Sequence, residues 1–402
     1  MASARHFIVA GAGIAGLTAA LALTRAGLRI TLLEQAATLE ETGAGIQLGP
    51  NASRVLIALG VRERLQSAAM TPQAIRVMAG GSGREIVRIP LGEDADRRYG
   101  APYWTIHRAD LQAALAAAAR DTQDIDIKLA TRVEDFATHA NGITVESRSG
   151  MRTVDEVGLA LIGADGLWSS VRARLPGRQL PRFRHRTAWR TLISADAVSA
   201  EFREPLVHLW LGFDAHLVHY PVKNGRLVNI VAIIHDEWHE AGWSAAGNRA
   251  EILRHFARWS WADRARDFVA LPEQWLKWAL YDRSTPFSGG AGAVTLIGDA
   301  AHPMLPFLAQ GAGMAIEDAA VLADMLHKYR DDPADALRAY EGARWHRTAL
   351  AQLRSRRQAR VYGLSGPEAL VRNLVMRAMG GEKLRARYDW LYDWQPPELF
   401  RA

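Results

Sequence analysis

Cysteine is absent from the 402-residue sequence. This absence excludes disulfides, thiolate metal sites and a cysteine nucleophile, and with them a secreted scaffold built on disulfides. Apolar runs of about 18 or more residues are also missing, so we expect no membrane-spanning helix. Residues 1–9 lead directly into a strand-like run, without the basic region and apolar stretch of a secretion signal, and we expect a cytoplasmic protein.

The sequence also lacks clusters of basic residues, although the chain is basic overall. The formal net charge is +6 and the pI is about 9.7. Arginine supplies most of the positive charge and is spread along the chain, whereas nucleic-acid-binding proteins concentrate basic residues in stripes with aromatic residues between them. We therefore expect neither nucleic acid nor a membrane as a partner. The charge favours attraction of small anions such as carboxylates.

The first glycine-rich segment lies in a strand–turn–helix–strand pattern. His6–Ala10 is predicted to be a short buried strand, and Gly11–Gly16 (GAGIAG) forms the turn into a helix that runs to about Ala26. Gly27 is typical of the residue that ends a helix. Leu28–Glu34 is then a second strand, and this context turns the glycine pattern into a dinucleotide-binding hypothesis.

Each glycine of this segment has a separate role in such a site. Gly11 permits the tight turn, Gly13 lets the backbone approach a pyrophosphate, and Gly16 lets the helix pack against the strand. The free N–H groups at the start of the helix favour the phosphates. Glu34 follows Gly16 by 18 residues, at the position where a carboxylate binds ribose hydroxyls. A 2′-phosphate would be repelled there, but this unit alone does not separate FAD from NAD.

Three later segments also contain candidate cofactor contacts. Thr42–Asn51 is a glycine-rich loop followed by an amphipathic helix. Arg108 precedes an alanine-rich helix, where a fixed cation can reach cofactor phosphates or ribitol. An apolar strand beginning at Leu159 leads into Asp165-Gly166 and a helix from about Ser169.

A third strand leads into the last of these turns. Ala293–Ile297 runs into Gly298-Asp299, where the carboxylate can accept a hydrogen bond from a ribityl hydroxyl. Gln310–Met314 then begins a helix whose free N–H groups can point at a flavin ring and stabilise negative charge on it.

The segment Gly298–Ala319 (GDAAHPMLPFLAQGAGMAIEDA) closely resembles the FAD ribityl motif of the group A flavoprotein monooxygenases. The resemblance is greatest to the branch that contains salicylate, 3-hydroxybenzoate and 6-hydroxynicotinate hydroxylases, and it covers about Phe7 to Lys328. It implies an α/β fold: a Rossmann-like FAD-binding domain, an inserted, mainly antiparallel β-sheet substrate domain, and a C-terminal helical segment. It also implies tightly but non-covalently bound FAD, with NADH or NADPH as co-substrate.

The motifs and the resemblance together predict a set of cofactor contacts and no metal site. In the family, the motif that Asp165 and Gly166 resemble serves both FAD and NAD(P)H. The predicted cofactor-binding residues are Gly11, Gly13, Ala15, Gly16, Glu34, Gln35, Gln47, Arg108, Val133, Asp165, Gly298, Asp299, Gly311, Ala312, Gly313 and Met314.

The middle of the chain, about 182–281, is strand-rich, and its clearest feature is a hairpin. Ala215–Val222 and Arg226–Ile234 are joined through Asn224-Gly225, a pair typical of a type I′ turn.

With Asn224 and Gly225 as the two loop residues, Tyr220 faces Asn229. Residues two apart in a strand share a face, so His216 and Tyr220 are predicted to project together and His219 to the opposite side.

His216 and Tyr220 resemble the family's substrate-binding pair. The resemblance implies that His216 contacts the ring hydroxyl and helps to ionise it, for which a pKa near neutrality is suitable. It implies that Tyr220 orients the ring or its carboxylate. Gln310 is predicted to contact the substrate across the flavin. Gln47 is predicted beside the substrate, where some relatives have histidine, and this difference argues against a pyridine substrate.

The sequence predicts a discontinuous organisation. The FAD-binding domain is expected to comprise 1–72, 103–178 and 282–330, and the substrate domain 73–102 and 179–281. The remaining segment, 331–402, is predicted to be helical and to pack on the FAD-binding domain or on a second subunit of a homodimer.

The resemblance implies hydroxylation of a small hydroxybenzoate- or salicylate-like acid by NAD(P)H and O2 through a flavin C4a-hydroperoxide, in the catabolism of aromatic compounds. A pyridine hydroxylase like 6-hydroxynicotinate 3-monooxygenase, a flavin oxidase and a halogenase-like relative are alternatives on the same fold. A dinucleotide-binding protein with a structural or sensing role is an alternative from another class. The ring position, and whether decarboxylation accompanies hydroxylation, stay open.

Overall fold

The computed structural model describes residues 5–39, 44–177, 179–257, 261–284 and 289–401. Thr42 and Gly43, which begin the glycine-rich loop noted in the sequence, lie outside these ranges.

Strands and helices are numbered here along the described chain. The strands are β1 (His6–Ala10), β2 (Arg29–Leu33), β3 (Gly45–Leu48), β4 (Ala74–Ala79), β5 (Glu85–Pro90), β6 (Trp104–His107), β7 (Ile125–Lys128), β8 (Thr131–His139), β9 (Gly142–Ser149), β10 (Arg152–Gly158), β11 (Ala160–Gly163), β12 (Arg182–Ser194), β13 (Val207–Leu211), β14 (Ala215–Val222), β15 (Leu227–His235), β16 (Ser244–Gly247), β17 (Trp275–Asp282) and β18 (Val294–Leu296). The helices are α1 (Ile14–Arg25), α2 (Pro50–Ala58), α3 (Arg62–Leu65), α4 (Gly92–Tyr99), α5 (Arg108–Arg120), α6 (Ser170–Arg174), α7 (Arg249–Phe256), α8 (Asp263–Ala270), α9 (Gly311–Lys328), α10 (Pro333–Tyr362), α11 (Gly366–Ala386) and α12 (Asp389–Tyr392). Short 3₁₀ helices are Ala195–Ala197, Ala200–Phe202, Gly298–Ala300, Pro306–Leu308 and Glu398–Phe400.

A parallel sheet with the order β18-β11-β1-β2-β7 carries the three predicted turns. Its central strands are continuous apolar runs because both faces of a parallel sheet are covered. The three neighbouring strands β1, β11 and β18 end immediately before the turns that begin at Gly11, Ala164 and Ile297. Because the strands are parallel, all three turns lie at the same edge of the sheet, where open α/β sheets bind their ligands.

A second sheet has the order β16-β17-β12-β15-β14-β13-β4-β5, and all its neighbours are antiparallel except β13 and β4. The mixed α/β fold with a mainly antiparallel insert is therefore confirmed. One face of this sheet packs against α7 and α8 through a core that includes Trp189, Phe256 and Phe268. The other face carries the side chains of the candidate site.

The predicted hairpin is confirmed in its register. Tyr220 pairs with Asn229, and the strands separate after Val222. Asn224 and Gly225 have φ of 54° and 79°, as the two central residues of a type I′ turn require.

Two smaller sheets and the C-terminal helices complete the described chain. β8, β9 and β10 form a three-stranded antiparallel sheet, and β3 pairs with β6. The helix α10 packs on α9, and α11, which is interrupted at Gly380, packs on β5. None of the helices in the described ranges is long and apolar enough to cross a membrane.

The glycine turn contains backbone contacts that leave no room for side chains. A Cβ on Gly16 would lie 1.8 Å from the Gly11 carbonyl oxygen. Gly11 has φ of 99°, and a Cβ there would lie 2.7 Å from the Ala164 carbonyl oxygen. Gly298 has φ of 58°, and its Cβ would lie 3.0 Å from the Cβ of Ala15. The turns after β1, β11 and β18 therefore fit together only as glycine-containing backbone.

We expect Gly16→Ala to destabilise the protein by about 2 kcal/mol or more, because the new methyl group displaces the Gly11 backbone. Gly342→Ala is the matched control: it also lies within a helix, but nothing surrounds its added Cβ within 4 Å. This control should gain about 0.5–1 kcal/mol from helix propensity. Urea unfolding of both variants without added FAD measures the difference, and equal midpoints would contradict the packing argument.

Candidate active site

Glu34 is fixed beside the first glycine turn. One of its carboxylate oxygens accepts a hydrogen bond from the Ala12 N–H at 2.7 Å, and the other accepts from the Ala36 N–H at 2.8 Å. Gln35 follows it and is exposed. A Cβ on Gly13 would meet no atom within 4 Å, so the backbone there is open to a ligand. The start of α1 has no side-chain cap, and its free N–H groups suit a diphosphate.

Asp165 lies at the end of β11 with one acceptor unused. Its Oδ2 accepts hydrogen bonds from the Ser170 hydroxyl at 3.0 Å and from the Val171 N–H at 3.1 Å. Its Oδ1 is buried without a hydrogen-bond partner among the described residues. The Ser170 hydroxyl also lies 3.1 Å from the carbonyl oxygen of Val133, which brings these two predicted cofactor residues together. A ligand hydroxyl would satisfy the free oxygen of Asp165.

Asp299 and Arg108 face each other across the cleft beyond β18. The Asp299 side chain is accessible from the cleft, and the surrounding walls bury it enough to raise its pKa. The Arg108 guanidinium opposes this rise. Arg108 is exposed in the first turn of α5, and its N–H donates to the Ala44 carbonyl at 3.1 Å. An anion and a cation thus line the part of the cleft where the sequence predicts ribityl and phosphate contacts.

A buried carboxylate, Asp318 of α9, holds the Gly298 turn in place. It accepts hydrogen bonds from the Gly298 N–H at 2.9 Å, from His302 Nε2 at 2.5 Å and from Arg344 Nε at 2.7 Å. Burial alone would raise the pKa of Asp318, but His302 and Arg344 lower it to about 2. Asp318 is therefore ionised at neutral pH and connects α10 to the turn.

Gln310 lies against a neighbouring polar group at the start of α9. Its side-chain oxygen accepts a hydrogen bond from Asn51 Nδ2 at 3.0 Å, and Asn51 Nδ2 also donates to Glu317 at 2.6 Å. A Cβ on Gly313 would lie 2.5 Å from the same Gln310 oxygen. The start of α9, which includes Gly311, Ala312 and Met314, is thereby fixed, while the contact of Gln310 with substrate stays a prediction.

His216 is buried on the face of the second sheet that faces the turns of the parallel sheet. Its ring packs against Phe307 at 5.2 Å and Tyr362 at 5.1 Å between centroids. Nothing in the described ranges forms a hydrogen bond with its imidazole. Burial, reinforced by Arg186, lowers the pKa of His216 to about 3, well below the near-neutral value expected from the sequence. At neutral pH the imidazole is uncharged and can accept a hydrogen bond, but so low a pKa makes it a weaker base than the sequence predicts.

Tyr220 lies on the same face as His216, close to β3. Burial raises the pKa of Tyr220, so its hydroxyl stays protonated. The Tyr103 hydroxyl donates to Gln47 Oε1 at 2.7 Å, and the Gly45 N–H donates to Asn229 Oδ1 at 2.6 Å. Gln47 is thus placed beside Tyr220 on a strand that is anchored to the second sheet.

His219 projects to the opposite side of the sheet, as predicted. Trp210 Nε1 donates to its Nε2 at 3.1 Å, and its ring stacks on His208 at 4.4 Å between centroids.

The sequence did not predict four further residues of the site, although Phe307 lies within the Gly298–Ala319 motif. Tyr103 precedes β6, Phe307 lies in a 3₁₀ helix, Tyr362 ends α10, and Asn229 is notable in sequence only as the partner of Tyr220. Groups of three or more His, Asp or Glu side chains that could hold a metal do not occur among the described residues.

Comparison with known proteins shows the family to which the chain belongs. The sequence pattern of the FAD-binding domain family matches residues 6–353. The chain is 36% identical to the 3-hydroxybenzoate 6-hydroxylase of Polaromonas naphthalenivorans (strain CJ2), over 96% of this chain and 95% of that protein. The chain belongs to the FAD-dependent aromatic hydroxylases.

Other members of the family agree with this assignment. The 3-amino-4-hydroxybenzoate 2-monooxygenase of Streptomyces platensis is 38% identical over 96% of this chain and 95% of its own. The structure of a salicylate hydroxylase substrate complex matches with a TM-score of 0.82 and 25% identity, over 98% of this chain and 97% of that one. The predictions of a group A hydroxylase fold, of FAD as cofactor and of a flavoprotein monooxygenase are confirmed. The glycine-lined edge, the free Asp165 oxygen and Asp299 fit this cofactor.

Acid should destabilise the enzyme partly through His216. The pKa of His216 is about 3 in the folded protein. The pKa of histidine in an unfolded chain is about 6.5. Between these values the unfolded chain binds more protons, so stability falls as the pH decreases, by about 1.4 kcal/mol per pH unit for this residue.

We expect His216→Gln to reduce the loss of stability between pH 6 and pH 4 by about this amount per pH unit, as measured by urea unfolding across that range. The same substitution at the exposed His346 is the control and should leave the acid dependence unchanged. Equal pH dependence of wild type and His216→Gln would show that His216 is not held uncharged.

Proposed function

We propose that this enzyme hydroxylates the ring of a small hydroxylated aromatic acid, with NADH or NADPH as reductant and O2 as the source of the new oxygen atom. The observation that carries the proposal is the buried His216 imidazole, which has no protein hydrogen-bond partner in the described ranges and shares a sheet face with Tyr220. The relatives named above act, by their names, on hydroxybenzoates, and the related solved structure on salicylate.

When bound, FAD would supply the redox chemistry: transfer of a hydride from NAD(P)H and activation of O2, one atom of which would enter the ring while the other leaves as water. The chain's own residues prepare the ring for this reaction. The neutral His216 accepts a hydrogen bond from the ring hydroxyl at its free nitrogen, and this bond favours phenolate-like electron density, which makes the ring more reactive than a free phenol. The protonated Tyr220 hydroxyl orients the ring as a hydrogen-bond donor.

Other residues of the site would bind the cofactor and exclude water. Glu34, Asp165 and Asp299 would hold the hydroxyls of FAD through their carboxylate oxygens, and the N-termini of α1 and α9 would favour negative charge on its diphosphate and its ring. Phe307 and Tyr362 cover His216 and exclude water from that end of the cleft. Exclusion of water protects the oxygen-activated cofactor from side reactions.

We also propose that the two sheets divide this work. Residues 1–72, 103–178 and 282–330 form the cofactor-binding unit, 73–102 and 179–281 the substrate-binding unit, and 331–402 a helical segment that supports both. The homodimer and the cytoplasmic location stay predictions from the sequence.

Purified enzyme should oxidise NADH or NADPH faster in the presence of at least one hydroxybenzoate from a panel, and should form a hydroxylated product that carries isotope from labelled O2. His216→Gln should lower kcat roughly 10²-fold at neutral pH, the lower end of the range for assisted proton transfer, because the imidazole is a weak base. The loss should shrink at alkaline pH, because the substrate's own hydroxyl ionises near pH 10. Product identification by mass spectrometry and pH–rate profiles measure both effects.

Each alternative gives a different product. Stoichiometric peroxide without an oxygenated ring would identify an oxidase, and turnover of hydroxypyridines alone would identify a pyridine hydroxylase. Failure of every aromatic acid to stimulate NAD(P)H oxidation would overturn the proposal.

A further inference from the structure

Arg190 lies on the face of the sheet that carries His216 and Tyr220, and it has no counter-ion among the described residues. It forms no salt bridge with a carboxylate of the described residues, and its Nε is buried without a hydrogen-bond partner. Its guanidinium carbon lies 5.3 Å from the ring centroid of Trp278, a contact that leaves its N–H groups unused. Withdrawing a charge from water without pairing it is costly, so such a group indicates a missing anionic partner.

The register of the sheet places Arg190 between the two predicted substrate residues. Arg190 pairs with Val231, and Val231 pairs with Val218, so these three side chains form one row across β12, β15 and β14. The adjacent row on one side ends in His216, and the adjacent row on the other side ends in Tyr220. Paired residues project to the same face, so the row of Arg190 lies midway between those two rows on that face.

The side chains of this middle row are also less buried than His216 and Tyr220 in the rows on either side. His216 and Tyr220 are buried, whereas Val218, Val231 and Arg190 are each only partly buried. The row therefore presents two aliphatic side chains followed by a cation. Such a surface matches an aromatic acid, because the ring can rest on the valines while its carboxylate reaches the guanidinium.

The charges around Arg190 favour an anion. Burial, followed by the repulsion of Arg108, lowers the pKa of Arg190 to about 10, which still leaves it cationic at neutral pH. Arg186 lies on the same strand and face, four residues earlier, and stacks on Phe307. A bound carboxylate would gain a charge-assisted, bidentate contact from Arg190 in a partly desolvated site.

We propose that Arg190 binds the carboxylate of the aromatic substrate and makes this enzyme selective for acids over uncharged phenols. The proposal rests on the proposed function, since it assigns the acid group of the same substrate whose hydroxyl meets His216. In this arrangement the ring lies over Val218 and Val231, with its hydroxyl and its carboxylate held by different strands.

The test compares an acid with its uncharged amide in the FAD-loaded enzyme. 3-Hydroxybenzoate and 3-hydroxybenzamide, and likewise salicylate and salicylamide, are titrated while the flavin absorption spectrum is recorded. Arg190→Gln should weaken binding of the acid roughly 10- to 150-fold, the range for losing hydrogen bonds to a charged group. It should leave the Kd of the amide nearly unchanged, so the preference for the acid is lost. Arg190→Lys should retain part of the preference, because the charge remains without the bidentate geometry.

Arg186→Gln is the matched control, since it removes a cation from the same strand and face but not from the row of the valines. It should reduce the preference for the acid far less than Arg190→Gln does, because it removes only a more distant charge. The FAD content and thermal midpoint of each variant report whether the fold and the cofactor site are intact.

Three results would overturn the proposal. The first is a wild type that binds neither acid more tightly than its amide, and the second is an Arg190→Gln variant that weakens acid and amide equally. The third is loss of FAD with an unchanged preference for the acid, which would assign Arg190 to the cofactor. In each case hydroxylation by the wild type would still support the proposed function, whereas absence of any hydroxylated product would refute that function separately.

Discussion

The direct approach of backbone to backbone at the edge of the parallel sheet is the constraint on which the rest of the structure depends. The turns that contain Gly11, Gly16 and Gly298 touch neighbouring elements where a single methyl group would overlap atoms. This contact brings the ends of β1, β11 and β18 together and leaves main-chain N–H groups facing the cleft. A bulky anionic coenzyme is favoured there by geometry and by helix dipoles rather than by a large set of basic side chains.

Buried charge connects this edge to the C-terminal part of the chain. Asp318 links the Gly298 turn to Arg344 of α10, and the neighbouring Glu317 accepts hydrogen bonds from Arg344, Arg347 and Asn51. Within a protein, removing one member of such a network leaves another charge buried without a partner. The helix α10, which ends in Tyr362 at the substrate side, is therefore held in register with the cofactor turns. The same helix contributes to both halves of the site.

Local sequence rules predicted the elements whose conformation is fixed by neighbouring residues. The glycine turn after β1, the start of α6 near Ser169 and the Asn224-Gly225 turn follow from local backbone preferences. The last of these sets the register that separates His216 from His219. Phe307 lies within the Gly298–Ala319 motif, but its place beside His216 could not be predicted, and no motif marks Tyr362 or Arg190 as part of the site. They come from a 3₁₀ helix, the end of a long helix and a central strand, and only tertiary packing brings them near His216. The low pKa of His216 was missed for the same reason, because burial by distant segments causes it.

The most direct measurement of the central claim is the FAD content of the purified chain, by its absorption spectrum and by chromatography of the material released on denaturation. A single edge built from these turns should hold one FAD per chain, and denaturation should release it unmodified, because the bound coenzyme is not covalently attached. A folded protein that is colourless as purified, and that acquires no flavin spectrum after incubation with excess FAD, would contradict the account.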